Sequence, residues 1–155
     1  MSNLLPKISA PVATFFLRIP LSAMFLQQGL SKLPVTGATA EAWGLPYIVW
    51  WFVTWGEIGA AIGLIAGGLL GLIPWHFKHF FLARLGRRYT DFKWFVEELG
   101  DITTRFSGIT MTCIATGVIW ILSPASLWDV IYKDYLHVSL YVGGLYFALR
   151  GNAKY

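Results

Sequence analysis

Four long apolar segments constrain the fold of this chain more than any other feature of its sequence. They cover residues 8–30, 47–73, 102–122 and 130–149. A helix that crosses the hydrocarbon core of a bilayer takes about 20 predominantly apolar residues. We therefore predict an all-α fold in which residues 1–155 form one transmembrane domain, an integral membrane four-helix bundle.

The low content of charged residues supports the same class. Charged residues make up 13% of the chain, against about 25% in a typical soluble domain. The net charge of +4 does not indicate a nucleic-acid partner, because the basic residues lie between the apolar segments. Membrane lipids are the expected surroundings of such a chain.

The distribution of lysine and arginine predicts an orientation. Cytoplasmic loops of membrane proteins carry an excess of these residues. On one side of the four segments the chain has eight basic residues: Lys7, Lys78, Arg84, Arg87, Arg88, Lys93, Arg150 and Lys154. On the other side it has two, Lys32 and Lys133, while Arg18 and Arg105 lie within segments. Both termini and the connection between the second and third segments are therefore predicted to be cytoplasmic.

That connection, residues 74–100, is too aromatic for a flexible linker. Its apolar side chains recur near helical spacing, and Gly86 is a predicted break. We predict an amphipathic interfacial insertion of two short helices on the inner membrane surface. A docking site for another protein is the alternative.

The second segment contains four glycines that are spaced four residues apart. Small residues at this spacing allow the backbone of another helix to approach closely within a bilayer. We therefore predict helix packing along the stripe formed by Gly59, Gly63, Gly67 and Gly71.

Two charged residues deep inside apolar segments, Arg18 and Glu57, need partners, since each costs roughly 2.5–3.5 kcal/mol to insert. From helical rise, Arg18 lies about 15 Å and Glu57 about 24 Å above the inner ends of their segments. A long side chain and a kink at Pro20 would let them meet. One hypothesis is a buried Arg18–Glu57 ion pair that docks two helices. The other is a polar pocket for an anion, a proton or a quinone headgroup.

Other polar residues have narrower roles in these hypotheses. Lys32 and His137 are the next candidate partners for Glu57, and Arg105 is expected to extend to the lipid phosphates. No metal site is predicted, because the pair His76 and His79 has no carboxylate or cysteine close by. The chain has one cysteine, Cys113, which excludes an internal disulfide or dithiol couple.

Several short motifs, taken in order, resemble the DoxX family of small four-helix membrane proteins. They are Leu17-Arg18, Gln28-Gly29-Leu30-Ser31-Lys32-Leu33, Glu57-Ile58-Gly59, Gly63-Leu64, Thr104-Arg105-Phe106 and Leu149-Arg150-Gly151-Asn152. The resemblance implies a bacterial cytoplasmic membrane location and an association with redox enzymes. It also implies that Arg18, Lys32, Glu57 and Arg105 are the characteristic polar residues.

Three functions are consistent with these patterns. The first is an accessory subunit of a larger membrane assembly, linked to redox chemistry, that contacts other membrane subunits. The second is a subunit that reduces quinone directly, and the third is a small-molecule transporter. We expect no intrinsic cofactor, with quinone or lipid as the candidate bound molecule, and we assign no catalytic residue.

Overall fold

The chain folds into helices throughout the part that the computed structural model describes, residues 10–122 and 125–152. Within these residues there is no strand, and the predicted all-α class is confirmed. The helices are α1 (Ala10–Ser31), α2 (Gly37–Ala42), α3 (Tyr47–His76), α4 (Lys78–Leu85), α5 (Tyr89–Ile121), α6 (Leu127–Lys133) and α7 (Tyr135–Arg150). A 3₁₀ turn, Gly86–Arg88, joins α4 to α5.

Local sequence signals set several helix ends. The Thr36 hydroxyl accepts a hydrogen bond from the backbone N–H of Thr39 at 3.2 Å and caps α2. Ser126 caps α6 in the same way. Gly86 and Gly151, with φ of 54° and 62°, follow the last residues of α4 and α7, where positive φ favours glycine.

The helix boundaries differ from the predicted segments in two places. α5 begins at Tyr89 rather than at residue 102, so the second half of the predicted insertion continues into the third segment. No proline interrupts this run. The fourth segment is divided at Asp134, whose backbone (φ −115°, ψ 44°) separates α6 from α7. Residues 8 and 9 of the first segment lie outside the described residues.

The four longest helices share one hydrophobic core. α3 packs between α1 and α5, and α5 also packs on α7. All four contribute buried side chains to one cluster: Leu21, Phe25, Ala60, Ala61, Leu64, Met111, Leu140 and Phe147.

The distribution of polarity is reversed relative to a water-soluble bundle. Charged and hydroxyl side chains are buried: Thr14, Arg18, Ser22, Thr54, Glu57, Thr104 and Ser107. Large apolar side chains are exposed on each long helix, among them Phe16, Phe52, Phe106 and Leu149. Apolar surface of this extent is typical of a face covered by lipid or protein. Of the described helices, two are long and apolar enough to cross a membrane, over Tyr47–Ile73 and Tyr89–Ile121.

Candidate functional site

Arg18 is the centre of a polar cluster that connects the four long helices. It is 1% exposed. Its Nη1 donates to the backbone oxygen of Leu64 and to Thr104 Oγ1, both at 2.8 Å. Its Nη2 donates to Asn152 Oδ1 at 2.6 Å. The guanidinium also lies 4.7 Å from the centre of the Phe147 ring on α7, a cation–π distance.

Asn152, just after α7, extends this cluster along α3 and α5. Its Nδ2 donates to the Gly67 backbone oxygen at 2.9 Å, and its backbone N–H donates to Asp101 Oδ1 at 2.7 Å. Asp101 in turn pairs with Arg105 at 2.7 Å. One hydrogen-bonded network therefore runs from the buried Arg18 to the end of α7.

The guanidinium of Arg105 is bound by other groups of the protein. It donates to the backbone oxygens of Ala148, Leu149 and Arg150 at 3.3, 2.7 and 3.4 Å. These are unpaired carbonyls at the C-terminus of α7, where the helix dipole favours a cation. Arg105 was expected to extend to the lipid phosphates. In the structure its guanidinium binds Asp101 and these carbonyls instead.

The second charged site joins Lys32, at the end of α1, to Glu57 on α3. Lys32 Nζ lies 2.6 Å from Glu57 Oε2, with the side chains 14% and 5% exposed. Lys32 also donates to the Gln28 backbone oxygen at 3.2 Å. The nearly buried Glu57 carboxylate is thus paired with a cation at the end of a neighbouring helix.

The predicted Arg18–Glu57 pair is wrong. The two helices are antiparallel, and their register places Gly29 against Glu57 and Ile58, while Arg18 lies against Gly68. Lys32, one of the alternative partners considered for Glu57, occupies the position expected of Arg18. Helical rise alone misjudged the register because the two segments do not begin at the same height.

His137, the other alternative, has its partner on its own helix. Its Nδ1 lies 2.5 Å from Asp134 Oδ1 at the start of α7. It lies near Lys32, since both side chains line the same cavity. It belongs to the Lys32 end of the molecule and not to the Arg18 cluster.

Three of the four glycines in the predicted stripe lie where a larger side chain would meet another part of the chain. A Cβ on Gly67 would lie 2.8 Å from the Gly100 backbone oxygen of α5. One on Gly63 would collide with the Ser107 hydroxyl, and one on Gly71 would lie 3.0 Å from Asn152 Nδ2. Gly59 differs, because a Cβ there would meet nothing within 4 Å.

A cavity of about 1060 Å³ lies at the Lys32 end of the helices. Its walls come from the end of α1, from α2, from the first turns of α3 and from the last turns of α5, with His137 contributed by α7. Most of its lining is apolar or aromatic. The polar lining side chains are Gln28, Ser31, Lys32, Thr39, Thr110, Cys113 and His137, together with the indole of Trp50.

Trp50 supplies an unused hydrogen-bond donor in the cavity wall. The residue is 3% exposed, and its ring stacks on Trp43 at 5.8 Å between centroids. Its Nε1 has no acceptor among the described residues. A buried indole N–H usually has one, so this donor is unsatisfied within the described part of the chain.

Sequence reasoning missed several residues of these sites. Thr104 and Asn152 stand in the family motifs but were not expected to hold Arg18, since a neutral residue carries no signal of its partner. Nothing in the sequence distinguishes Trp50 from the seven other tryptophans. Gly108 and Gly144 allow α5 and α7 to approach so closely that a Cβ on Gly144 would lie 3.0 Å from the Gly108 backbone oxygen.

Comparison with known families found a match in the N-terminal part of the chain. The family model described as DoxX matches residues 13–73. The resemblance to DoxX is therefore confirmed. No curated protein and no solved structure matches the chain. With the two membrane-capable helices, the DoxX match identifies a small membrane protein.

The DoxX match covers the α1–α3 pair, which contains Arg18, Lys32 and Glu57. The Lys32–Glu57 pair lies wholly inside the matched residues. Two of the partners of Arg18, Thr104 and Asn152, lie outside them. Much of the cavity wall formed by α5 also lies outside the DoxX match.

Proposed function

We propose that α1, α3, α5 and the α6–α7 pair cross the bacterial cytoplasmic membrane as a four-helix bundle, with both termini in the cytoplasm. The uneven distribution of basic residues supports this orientation, although Lys7 and Lys154 lie outside the described residues. With 33 residues, α5 is about 50 Å long, more than the ~30 Å core requires. Its first turns and α4 would then form the cytoplasmic insertion.

Thiol labelling tests the orientation. In a Cys113→Ser background, Thr39→Cys should react with a membrane-impermeant maleimide added outside intact cells, because the loop from 33 to 46 is periplasmic in this topology. Arg84→Cys should react only after the membrane is opened. Reaction of Arg84→Cys in intact cells would reverse the orientation.

We further propose that the cavity binds the ring of a quinone, in a subunit of a redox-linked membrane assembly. The cavity itself is the observation that supports this function. Its volume is close to the 300–1,000 Å³ typical of ligand sites, and its lining is mostly apolar with few polar groups. Aromatic walls suit a flat ring, and the partly exposed Lys32 ammonium provides a donor for a carbonyl oxygen.

An accessory role in such an assembly is supported by the lack of redox and nucleotide-binding motifs in the sequence. A single cysteine provides no dithiol couple, and the sequence contains no dinucleotide-binding or P-loop motif. In this proposal another subunit supplies or receives the electrons. Purification of the native complex in mild detergent should then recover a stoichiometric partner.

Quinone binding can be measured in the purified chain. A short-chain ubiquinone should quench the fluorescence of Trp43, Trp50 and Trp55, which line the cavity. It should also protect Cys113, which is exposed and lines the same cavity, from alkylation. Gly117→Leu fills space there without strain, because a Cβ on Gly117 meets nothing within 4 Å. We expect it to weaken binding about tenfold, equivalent to about 1.4 kcal/mol.

Gly59→Leu is the matched control. Gly59 has equally open space but does not line the cavity, so this variant should bind as the parent does. Equal quenching and equal Cys113 protection in the parent and in Gly117→Leu would show that quinone binds elsewhere or not at all.

A further inference from the structure

Residues 77–88, named here the basic elbow, form an exposed surface at the end of the molecule opposite the cavity. They comprise Phe77, α4 and the following 3₁₀ turn. Phe77 and Phe80 are 57% and 66% exposed. Large aromatic side chains exposed to this degree on a short helix need a partner or a lipid phase to cover them.

The elbow has few contacts of its own to hold it. α4 is eight residues long, and isolated helices of this length are marginal in water. Among the described side chains, Phe81 of the elbow contacts Phe92 on α5, at 5.0 Å between ring centroids. A surface that receives the exposed phenylalanines would stabilise it.

The charge of the elbow is of one sign. Its sequence contains Lys78, Arg84, Arg87 and Arg88 and no aspartate or glutamate. The side chains of Lys78, Arg84 and Arg88 are exposed, and none of them takes part in a salt bridge of the described chain. In contrast, Lys93 on α5 already has Glu97 at 3.8 Å.

We propose that the basic elbow binds the anionic headgroups of phospholipids, with Phe77 and Phe80 inserted at the boundary of the acyl chains. Unpaired cations beside exposed aromatic rings are the pattern of an interfacial helix that prefers anionic lipid. The elbow directly follows α3, whose apolar run ends at Ile73, so it lies at the level of the headgroups. Each basic residue at an anionic surface contributes about a fivefold gain in binding.

Native mass spectrometry of the full chain can test this preference. The protein is equilibrated in mild detergent with equal amounts of phosphatidylglycerol and phosphatidylcholine, which differ in headgroup charge. The parent should retain phosphatidylglycerol in excess. The triple variant Lys78→Gln/Arg84→Gln/Arg88→Gln should lose that excess, a fall of up to about a hundredfold in relative affinity for three charges.

Two controls separate charge from folding. Lys78→Arg/Arg84→Lys/Arg88→Lys keeps the charge and should keep the preference. Lys133→Gln removes a basic residue that is paired with Asp129 on α6, at the other end of the molecule, and should change nothing. A single Arg84→Gln variant, expected to lose about fivefold, provides the measurement if the triple variant does not fold.

The proposal is overturned if the parent shows no preference for phosphatidylglycerol, or if the neutral variants keep it. It is also overturned if a protein partner copurifies with the parent, is lost from the triple variant, and no lipid preference accompanies it. In that case the elbow is a protein-docking surface.

Discussion

Replacing Gly67 with leucine is expected to prevent α3 from packing against α5. A Cβ at this position would lie 2.5 Å from Thr104 Oγ1, 2.8 Å from the Gly100 backbone oxygen and 3.0 Å from the Thr104 backbone nitrogen. Two of these atoms are backbone, so they cannot rotate away. Thr104 is also a partner of Arg18, so the displacement would break the buried cluster as well. Overpacking alone costs about 1–3 kcal/mol, and loss of hydrogen bonds to a buried charge adds about 1.5–3 kcal/mol.

The measurement is thermal unfolding and size-exclusion behaviour of the purified variant in detergent. Gly59→Leu is the control, because it is on the same helix and has the same change in size but has open space around it. We expect the control to match the parent and Gly67→Leu to aggregate or unfold at a much lower temperature. A Gly67→Leu variant as stable as Gly59→Leu would contradict the close approach of α3 and α5.

Removing either member of the Lys32–Glu57 pair is expected to destabilise the protein by about 3–5 kcal/mol, because a buried charge is left without its partner. Glu57→Gln leaves the Lys32 ammonium 2.6 Å from a neutral group, and Lys32→Met leaves the carboxylate almost fully buried. The double variant should recover most of the loss, since neither charge then has to be desolvated.

A second cycle, on Arg18 and Glu57, provides the contrast. Arg18→Leu should itself destabilise strongly through its lost bonds to Leu64, Thr104 and Asn152. Because Arg18 and Glu57 share no partner among the described residues, the two effects should add to within about 0.5 kcal/mol. Additive effects for Lys32 and Glu57, with coupling for Arg18 and Glu57, would reverse the assignment of partners.

Much of the fold could be predicted because it depends on local chemistry. Long apolar runs form helices when no water competes for their backbone groups. The glycine at residue 86 marked a break that the structure contains, since positive φ there excludes most other residues. The continuation of α5 from Tyr89 was not predicted. The predicted insertion ended at residue 100, yet Gly100 does not interrupt α5 and no proline separates the insertion's second half from the apolar run.

In the candidate sites, the sequence could identify the buried charges but not their partners. Burial of a charge implies a partner, so Arg18 and Glu57 could be recognised as members of polar sites. Which partner each one has depends on how far α1 slides along α3, and only side-chain packing sets that register. Gly29 receives Ile58 and Gly68 receives Arg18, which brings Lys32, not Arg18, to Glu57.

The sequence by itself therefore determined the helical class, the membrane character, the DoxX resemblance and the set of intramembrane charges. The tertiary structure alone decided the pairing of those charges, the neutral oxygens that hold Arg18, and the cavity beside Lys32. The physical reason is that hydrophobicity and backbone preference act along one helix. Ion pairs, hydrogen bonds and cavities arise between helices, whose relative positions are set by close contacts between residues far apart in the chain.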